Sequence, residues 1–268
     1  MLQLDGAPDA IVEPFVRQRR RFASVLGSLT DEQWRAPSRC AEWTVQDVVA
    51  HLSGTNPYWV LSLSAGLGGS PTRFLGSFDP KATPASMVAA LRGQPPAETL
   101  AAYVETTDAL LDLVASVTDW TVPCESPPGH VTASAMLHHA LWDAWIHERD
   151  VLLPLARSQA HEDDEIAATL RYAAGLGPMF AVMHGVAPTA GGALVVDATA
   201  PSVHVCVTVA DDTVHVGDGP APPDALVLTG DAASLADALS IRGPLGVDVP
   251  AEHAWLLSGL AEVFEEAI

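Results

Sequence analysis

Residues 138–155 read HHALWDAWIHERDVLLPL. At about 100° per residue this stretch is a helix that is apolar on nearly every side, with Leu141, Trp142, Trp145, Ile146 and Leu152 on its broad flanks. A helix of that kind belongs in a core. Yet Asp143 and His147 share one face with Met136, Ala140 and Val151, and His139 and Asp150 stand at its edge. A buried carboxylate without a partner is costly, so this strip must face something that satisfies it.

Outward from that helix the N-terminal half is helical in pattern. IVEPFVRQRRRFASVLGSL, from Ile11, places Phe15, Phe22, Val25, Leu26 and Leu29 at helical spacing. A turn through Pro37 and Ser38 leads into TVQDVVAHLSG, where Thr44 and Asp47 approximate a capping box. Residues 62–96, rich in Gly, Ser and Pro, read as a long loop with a short helix at its end, and a third helix covers Glu98 to Val114. VPCESPPGH ends that region, and the fourth helix, the one quoted above, starts near Thr132. Four helices with a long excursion after the second predict a bundle.

Past the polar linker RSQAHEDDE and a further helix over 165–183, the period changes from helical to alternating. SVHVCVTVADDTVHVGDG sets Val203, Val205, Val207 and Val209 on one face, with Ala-Asp-Asp at the turn. DALVLTGD reads as another strand, AASLADALS as the helix after it, and PAEHAWLLSGLAEVFEEA as an amphipathic final helix. The expected architecture is therefore α+β: a helical bundle over residues 1–158 and a small α+β domain over 165–268.

Thirteen basic against thirty-three acidic residues give a net charge of −20. Nucleic acid and anionic membranes would be repelled at long range, so neither is an expected partner. No run of about eighteen apolar residues appears, and the N-terminus lacks the basic start of a signal peptide. A soluble cytoplasmic protein, monomer or homodimer, is the expectation. The early cluster Arg17, Arg19, Arg20 and Arg21 reads as a solvated helix face. Cys40, Cys124 and Cys206 lie far apart with no CxxC spacing, which disfavours both a disulfide framework and a cysteine-rich zinc site.

The polar strip suggests chemistry. Asp143 and His147, four apart, meet on successive turns, and a carboxylate and an imidazole at that spacing supply two ligands to a divalent metal. His51, beside Val48 and Leu52 at the edge of its helix's apolar stripe, is the candidate third ligand from another helix. The same spacing also suits a plain Asp143–His147 pair with His51 capping a carbonyl, and spacing alone does not choose between them.

Two segments resemble a known family. RRRFASVLGSLTDEQWRAPSRCAEWTVQDVVAHLSG and DAWIHERDV are similar to the mycothiol-dependent maleylpyruvate isomerase-like proteins of the DinB-like four-helix superfamily. The shared features are the arginine-rich first helix, Asp31 with Trp34, Cys40 ahead of Trp43-Thr44-Val45, and the run from Asp47 to Leu52. TGDAASLADALSIRG resembles, more weakly, the end of that family's sterol-carrier-like second domain. The resemblance implies a metal, zinc, held by His51, Asp143 and His147, with mycothiol as a thiol cosubstrate that adds to a small electrophile or is transferred onto it. Arg242, the one basic residue beyond Arg171, is a catalytic candidate that would meet an anionic substrate in so acidic a protein; a structural pair with a nearby carboxylate suits it equally. Three positions depart from the family pattern: Asp143 stands where Glu is usual, Glu42 replaces Gly, and Arg242 sits in Ile-Arg-Gly in place of Gly-Arg. The alternatives are a binding module of the same bundle with a degenerate metal site, and a metal-dependent hydrolase using water.

Overall fold

The computed structural model describes residues 1–77 and 82–264 of the chain. It begins with strand β1 (Leu2–Leu4) and helix α1 (Val12–Leu26), followed by the short α2 (Asp31–Trp34) and the long α3 (Val45–Leu67). Then come α4 (Ala82–Leu91), α5 (Pro96–Ser116), the hairpin β2 (Pro123–Ser126) and β3 (Gly129–Thr132), and α6 (Ala133–Leu152). The remainder is α7 (Asp163–Met183), β4 (Gly192–Thr199), β5 (Val203–Ala210), β6 (Thr213–Gly217), β7 (Leu226–Asp231), α8 (Ala232–Leu239) and α9 (Trp255–Phe264). The α+β architecture expected from the sequence, helices first and a sheet at the C-terminal end, is the one the chain adopts.

Helices α1, α3, α5 and α6 form the bundle, α3 lying against both α5 and α6 and α1 closing the other side. The entry to α3 follows from its first residues. The Thr44 side chain accepts from the Asp47 backbone N–H, and the Asp47 carboxylate accepts in turn from the Thr44 N–H, so two otherwise orphaned donors are satisfied. The helix then continues through Pro57 and across 62–67, where the sequence reads as loop. Its second half is held from outside: Trp59 and Leu63 are buried, and the Asn56 amide donates to Thr106 and Thr107 of α5. The Pro-rich stretch after α5, read as a break between helices, folds into the β2–β3 hairpin with Cys124 opposite Val131.

The sheet runs in the order β1-β6-β5-β4-β7. Pairs β6–β5 and β5–β4 are antiparallel, whereas β1–β6 and β4–β7 are parallel. The alternation predicted for β5 is present, with Val205 and Val207 fully buried. Two strands of this sheet lie outside the sequence reading: β4, and β1, whose three residues pair with Val214, His215 and Val216.

Helix α7 packs against the bundle and the sheet together, touching α6, β5, β6, α8 and α9. It is long and apolar enough to cross a membrane by length and composition, but most of it is buried inside the fold. Each fully buried leucine of α7, such as Leu170 or Leu176, contributes on the order of 1.5–3 kcal/mol. The final helix runs from Trp255 to Phe264 after a single tight turn over Ala251–His253, and residues 265–267 of the expected span lie outside the described residues.

Arg20 is exposed as expected, but the other arginines of the α1 cluster depart from a solvated face. Arg19 is fully buried beside Phe15 and donates to the Ala140 carbonyl. Arg21 pairs with Glu148 at 2.9 Å and with Glu165 at 2.7 Å, and Arg17 reaches Glu165 at 2.7 Å. Helices α6 and α7 supply buried carboxylates that draw these guanidiniums inward.

Candidate metal centre and adjoining cavity

The polar strip of α6 points at α3. His51 and His147 stand edge to face with their ring centres 5.0 Å apart, and Asp143 lies between them. Asp143 Oδ1 is 3.6 Å from His51 Nε2 and 3.5 Å from His147 Nε2, distances too long to count as good hydrogen bonds. Its second oxygen, Oδ2, is buried with no partner among the described residues. One ligand atom from each of the three side chains falls within 4.8 Å of the others. Two imidazoles and a carboxylate that converge without satisfying one another form a donor set that fits a divalent ion such as zinc.

The three ligands come from elements fixed by their own packing. His51 follows the buried Val48 and Val49 one turn into α3, and Trp43 lies against its ring at 5.4 Å. Burial by itself would raise the Asp143 pKa, but His51 and the charge on His147 hold this carboxylate well below the usual range.

Behind His147 lies a second layer. Asp150 is fully buried and accepts from His147 Nδ1 at 3.0 Å, from Arg39 Nε at 2.9 Å, from Arg242 Nε at 3.1 Å and from the Cys40 thiol at 3.2 Å. The sequence leaves Asp150 open between a partner for His147, a helix cap and a surface pair with Arg149; the structure makes it the hub of this layer. Arg149 turns instead to Asp237 of α8, which Arg39 also grips. With Nδ1 committed to Asp150, His147 presents Nε2 to Asp143. Burial opposes a charge on His147, yet Cys40, Asp150 and Asp143 together push its pKa up to about 10. A metal at Nε2 would therefore displace a proton.

Cys40, His147 and Asp150 also lie within 4.8 Å of one another. Two guanidiniums already flank Asp150, so a cation there would meet them at close range, and the His51–Asp143–His147 group is the better seat. Cys40 had no signal of its own in the sequence beyond its place in the motif.

Arg242 is brought to this layer from the far end of the chain. Its Nε is spent on Asp150, while Nη1 reaches the Ser240 carbonyl and Nη2 the Cys40 sulfur at 3.6 Å. Ile241, just before it, has φ 54°, a conformation rare for a β-branched residue, and this turn directs Arg242 back over α6. Glu42 has φ 62°, which explains why glycine suits that position in the related motif.

A cavity of about 330 Å³ opens in front of the three ligands. Trp43, Tyr58, Trp59 and Trp142 form much of its wall; of these the sequence marks Trp43 only as part of a motif and Trp142 only as a helix flank. Glu125 accepts from Thr72 and from the backbone N–H groups of Phe74 and Leu75, fixing those two residues at the rim. His139 also borders the cavity; its Nδ1 is 2.6 Å from the Tyr172 hydroxyl, and burial pushes its pKa down to about 4. It is a neutral wall residue.

No curated protein sequence matches the chain. Among solved structures, the crystal structure of the mycothiol-dependent maleylpyruvate isomerase superimposes with a TM-score of 0.63 at 17% identity, covering 92% of this chain and 96% of that one. A histidine-to-alanine mutant of the isomerase superimposes with a TM-score of 0.64 at 16% identity and the same coverage. At such identity the likeness speaks for the fold. The sequence profile of the mycothiol maleylpyruvate isomerase N-terminal domain matches residues 15–152, a span that runs from α1 to the end of α6. That match takes in more than half of the 268 residues, and the chain belongs to the mycothiol maleylpyruvate isomerase N-terminal domain family.

Proposed function

We propose that this protein is a metal-dependent enzyme that uses mycothiol, adding it to a small electrophile either reversibly, as an isomerase does, or as an S-transferase. The observation that carries the proposal is the convergence of His51, Asp143 and His147, mutually unsatisfied, on the wall of a cavity. Zinc held by those three side chains would stabilise a thiol as its thiolate near neutral pH.

The protein's own residues account for the rest. Asp150 fixes the tautomer and direction of His147, and Arg39 and Arg242 neutralise Asp150 from behind. Aromatic walls exclude water from the reacting carbon. We further propose that residues 1–158 act as the metal-binding bundle, with residues 165–268 contributing Arg242 to it.

The test is metal content by elemental mass spectrometry, measured beside His147→Ala. Near-stoichiometric zinc that disappears in the variant is expected, together with turnover of electrophiles only when mycothiol is present. Absence of metal even after zinc is added would overturn the metal reading. Turnover without thiol would mean a hydrolase, and metal binding without turnover a binding module.

A further inference from the structure

His139 lines the cavity beside the three ligand side chains but takes no part in their cluster. It stands one helical turn before Asp143 on α6, about 6 Å along the axis, and only 5% of its surface is exposed. Its ring is held from three sides. Trp59 and Trp142 lie against it with ring centres 5.3 and 5.2 Å away, and the Tyr172 hydroxyl of α7 sits 2.6 Å from Nδ1.

The other ring nitrogen is the unusual one. Nε2 has no hydrogen-bond or ion-pair partner among the described residues, yet it is not sealed inside the protein, so it faces the cavity that His139 borders. Where its hydrogen sits follows from Tyr172. Burial pushes the Tyr172 hydroxyl well above its usual pKa, so it keeps its proton. Ser126, the other hydroxyl close by, makes no hydrogen bond among the described residues, which leaves Nδ1 as the acceptor. A neutral imidazole that accepts at Nδ1 carries its hydrogen on Nε2.

We propose that the Nε2–H of His139 donates to a carbonyl oxygen of the substrate, and that Tyr172 is the positioning residue that keeps the hydrogen there. This rests on the thiol chemistry proposed above and specifies the electrophile as one whose double bond is conjugated with a carbonyl. As the S–C bond forms at the β carbon, the C=C π pair moves toward the carbonyl and its oxygen takes the negative charge. A fixed neutral donor stabilises that oxygen without giving up its proton. Collapse of the same charge, after rotation about the former double bond, expels the thiolate and restores the alkene.

The test uses benzylideneacetone, an unsaturated ketone with one ring, and the purified full-length protein in chelator, so that no metal can hold the carbonyl. Infrared difference spectra should show the bound carbonyl stretch moved to lower frequency. In His139→Phe that shift should vanish and affinity should fall about tenfold. His139→Gln, which keeps an N–H near the same place, should recover part of both. Nitrogen-15 spectra of the ring should show hydrogen on Nε2 in the wild type and a mixture of tautomers in Tyr172→Phe. No binding, an unshifted carbonyl, a shift that survives in His139→Phe, or a wild-type hydrogen on Nδ1 overturns the proposal. An unchanged tautomer in Tyr172→Phe overturns the part given to Tyr172. The wild-type spectra decide the matter even where a variant fails to fold. With zinc and mycothiol then added, kcat should fall about 100-fold in His139→Phe, more than KM changes. A ketone bound with a shifted carbonyl but never consumed counts against the thiol chemistry and leaves His139 as donor. Consumption without a carbonyl shift does the reverse.

Discussion

Replacing Asp150 with Asn probes the layer that stands behind the proposed metal ligands. The carboxylate is fully buried and takes hydrogen bonds from two guanidiniums, one imidazole and one thiol. Burial would raise its pKa, but His147, Arg242 and Arg39 hold it far below the usual range, so the ionised form belongs to the folded state. Breaking a buried ion pair by removing one partner costs about 3–5 kcal/mol. Asn keeps one acceptor and Arg39 keeps Asp237, which places this change near the lower end, about 3 kcal/mol. For a chain of this size that is a fall in Tm of roughly 6–12 °C. Metal affinity should drop by about 10–100-fold, because His147 loses the group that orients it. Thermal melts in chelator isolate the first effect, and zinc competition titrations the second. Asp143→Asn is the companion change: it should abolish metal binding, because it removes one of the three converging ligand atoms, while Asp150 and its partners stay in place. If Asp150→Asn melts with the wild type and binds zinc equally well, the hub has been misjudged.

Two further outcomes follow from the same region and its support. His139 has a folded pKa of about 4, below its unfolded value, so the unfolded chain takes up its proton first and stability drops as pH falls through 6.5 toward 4. Between pH 7 and pH 5 that amounts to about 2 kcal/mol, and His139→Phe should flatten the curve by this amount in denaturant melts; an unchanged curve would sink the assignment. Gly259 lets α9 cross α7 at backbone contact: a Cβ there would lie 2.6 Å from the Ala181 nitrogen and press on the Gly177 carbonyl. Gly259→Ala should therefore cost about 1–3 kcal/mol and loosen Leu260 at the cavity, whereas an unchanged melting curve would show that the crossing relaxes freely.

The parts of the site that sequence displays are those written in local spacing. Asp143 and His147 lie one helical turn apart, His51 sits between Val48 and Leu52, and Thr44 with Asp47 announces the start of α3. What sequence hides is convergence over distance. Asp150 meets Arg39 across 111 residues and Arg242 across 92, and no periodicity marks such a meeting. The arginines of α1 fail in the same way: a polar run looks solvated until Glu148 and Glu165 arrive from other helices to bury it. Local signals also mislead where tertiary packing overrides them, as when α3 runs on past Pro57 because α5 holds Asn56. β1 is too short for its three residues to carry a pattern at all.

That short strand has a consequence for how the protein can be made. Because Leu2–Leu4 cover the open side of β6, the sheet's last rung comes from residues made ahead of every other strand of that sheet. They must wait, unpaired, until more than two hundred further residues have been synthesised. A fragment that starts at residue 165 would carry β6 as a naked edge, with the backbone groups of Val214 to Val216 free to recruit strands from other molecules. Such a fragment would be sticky in a way that a chain carrying β1 is not.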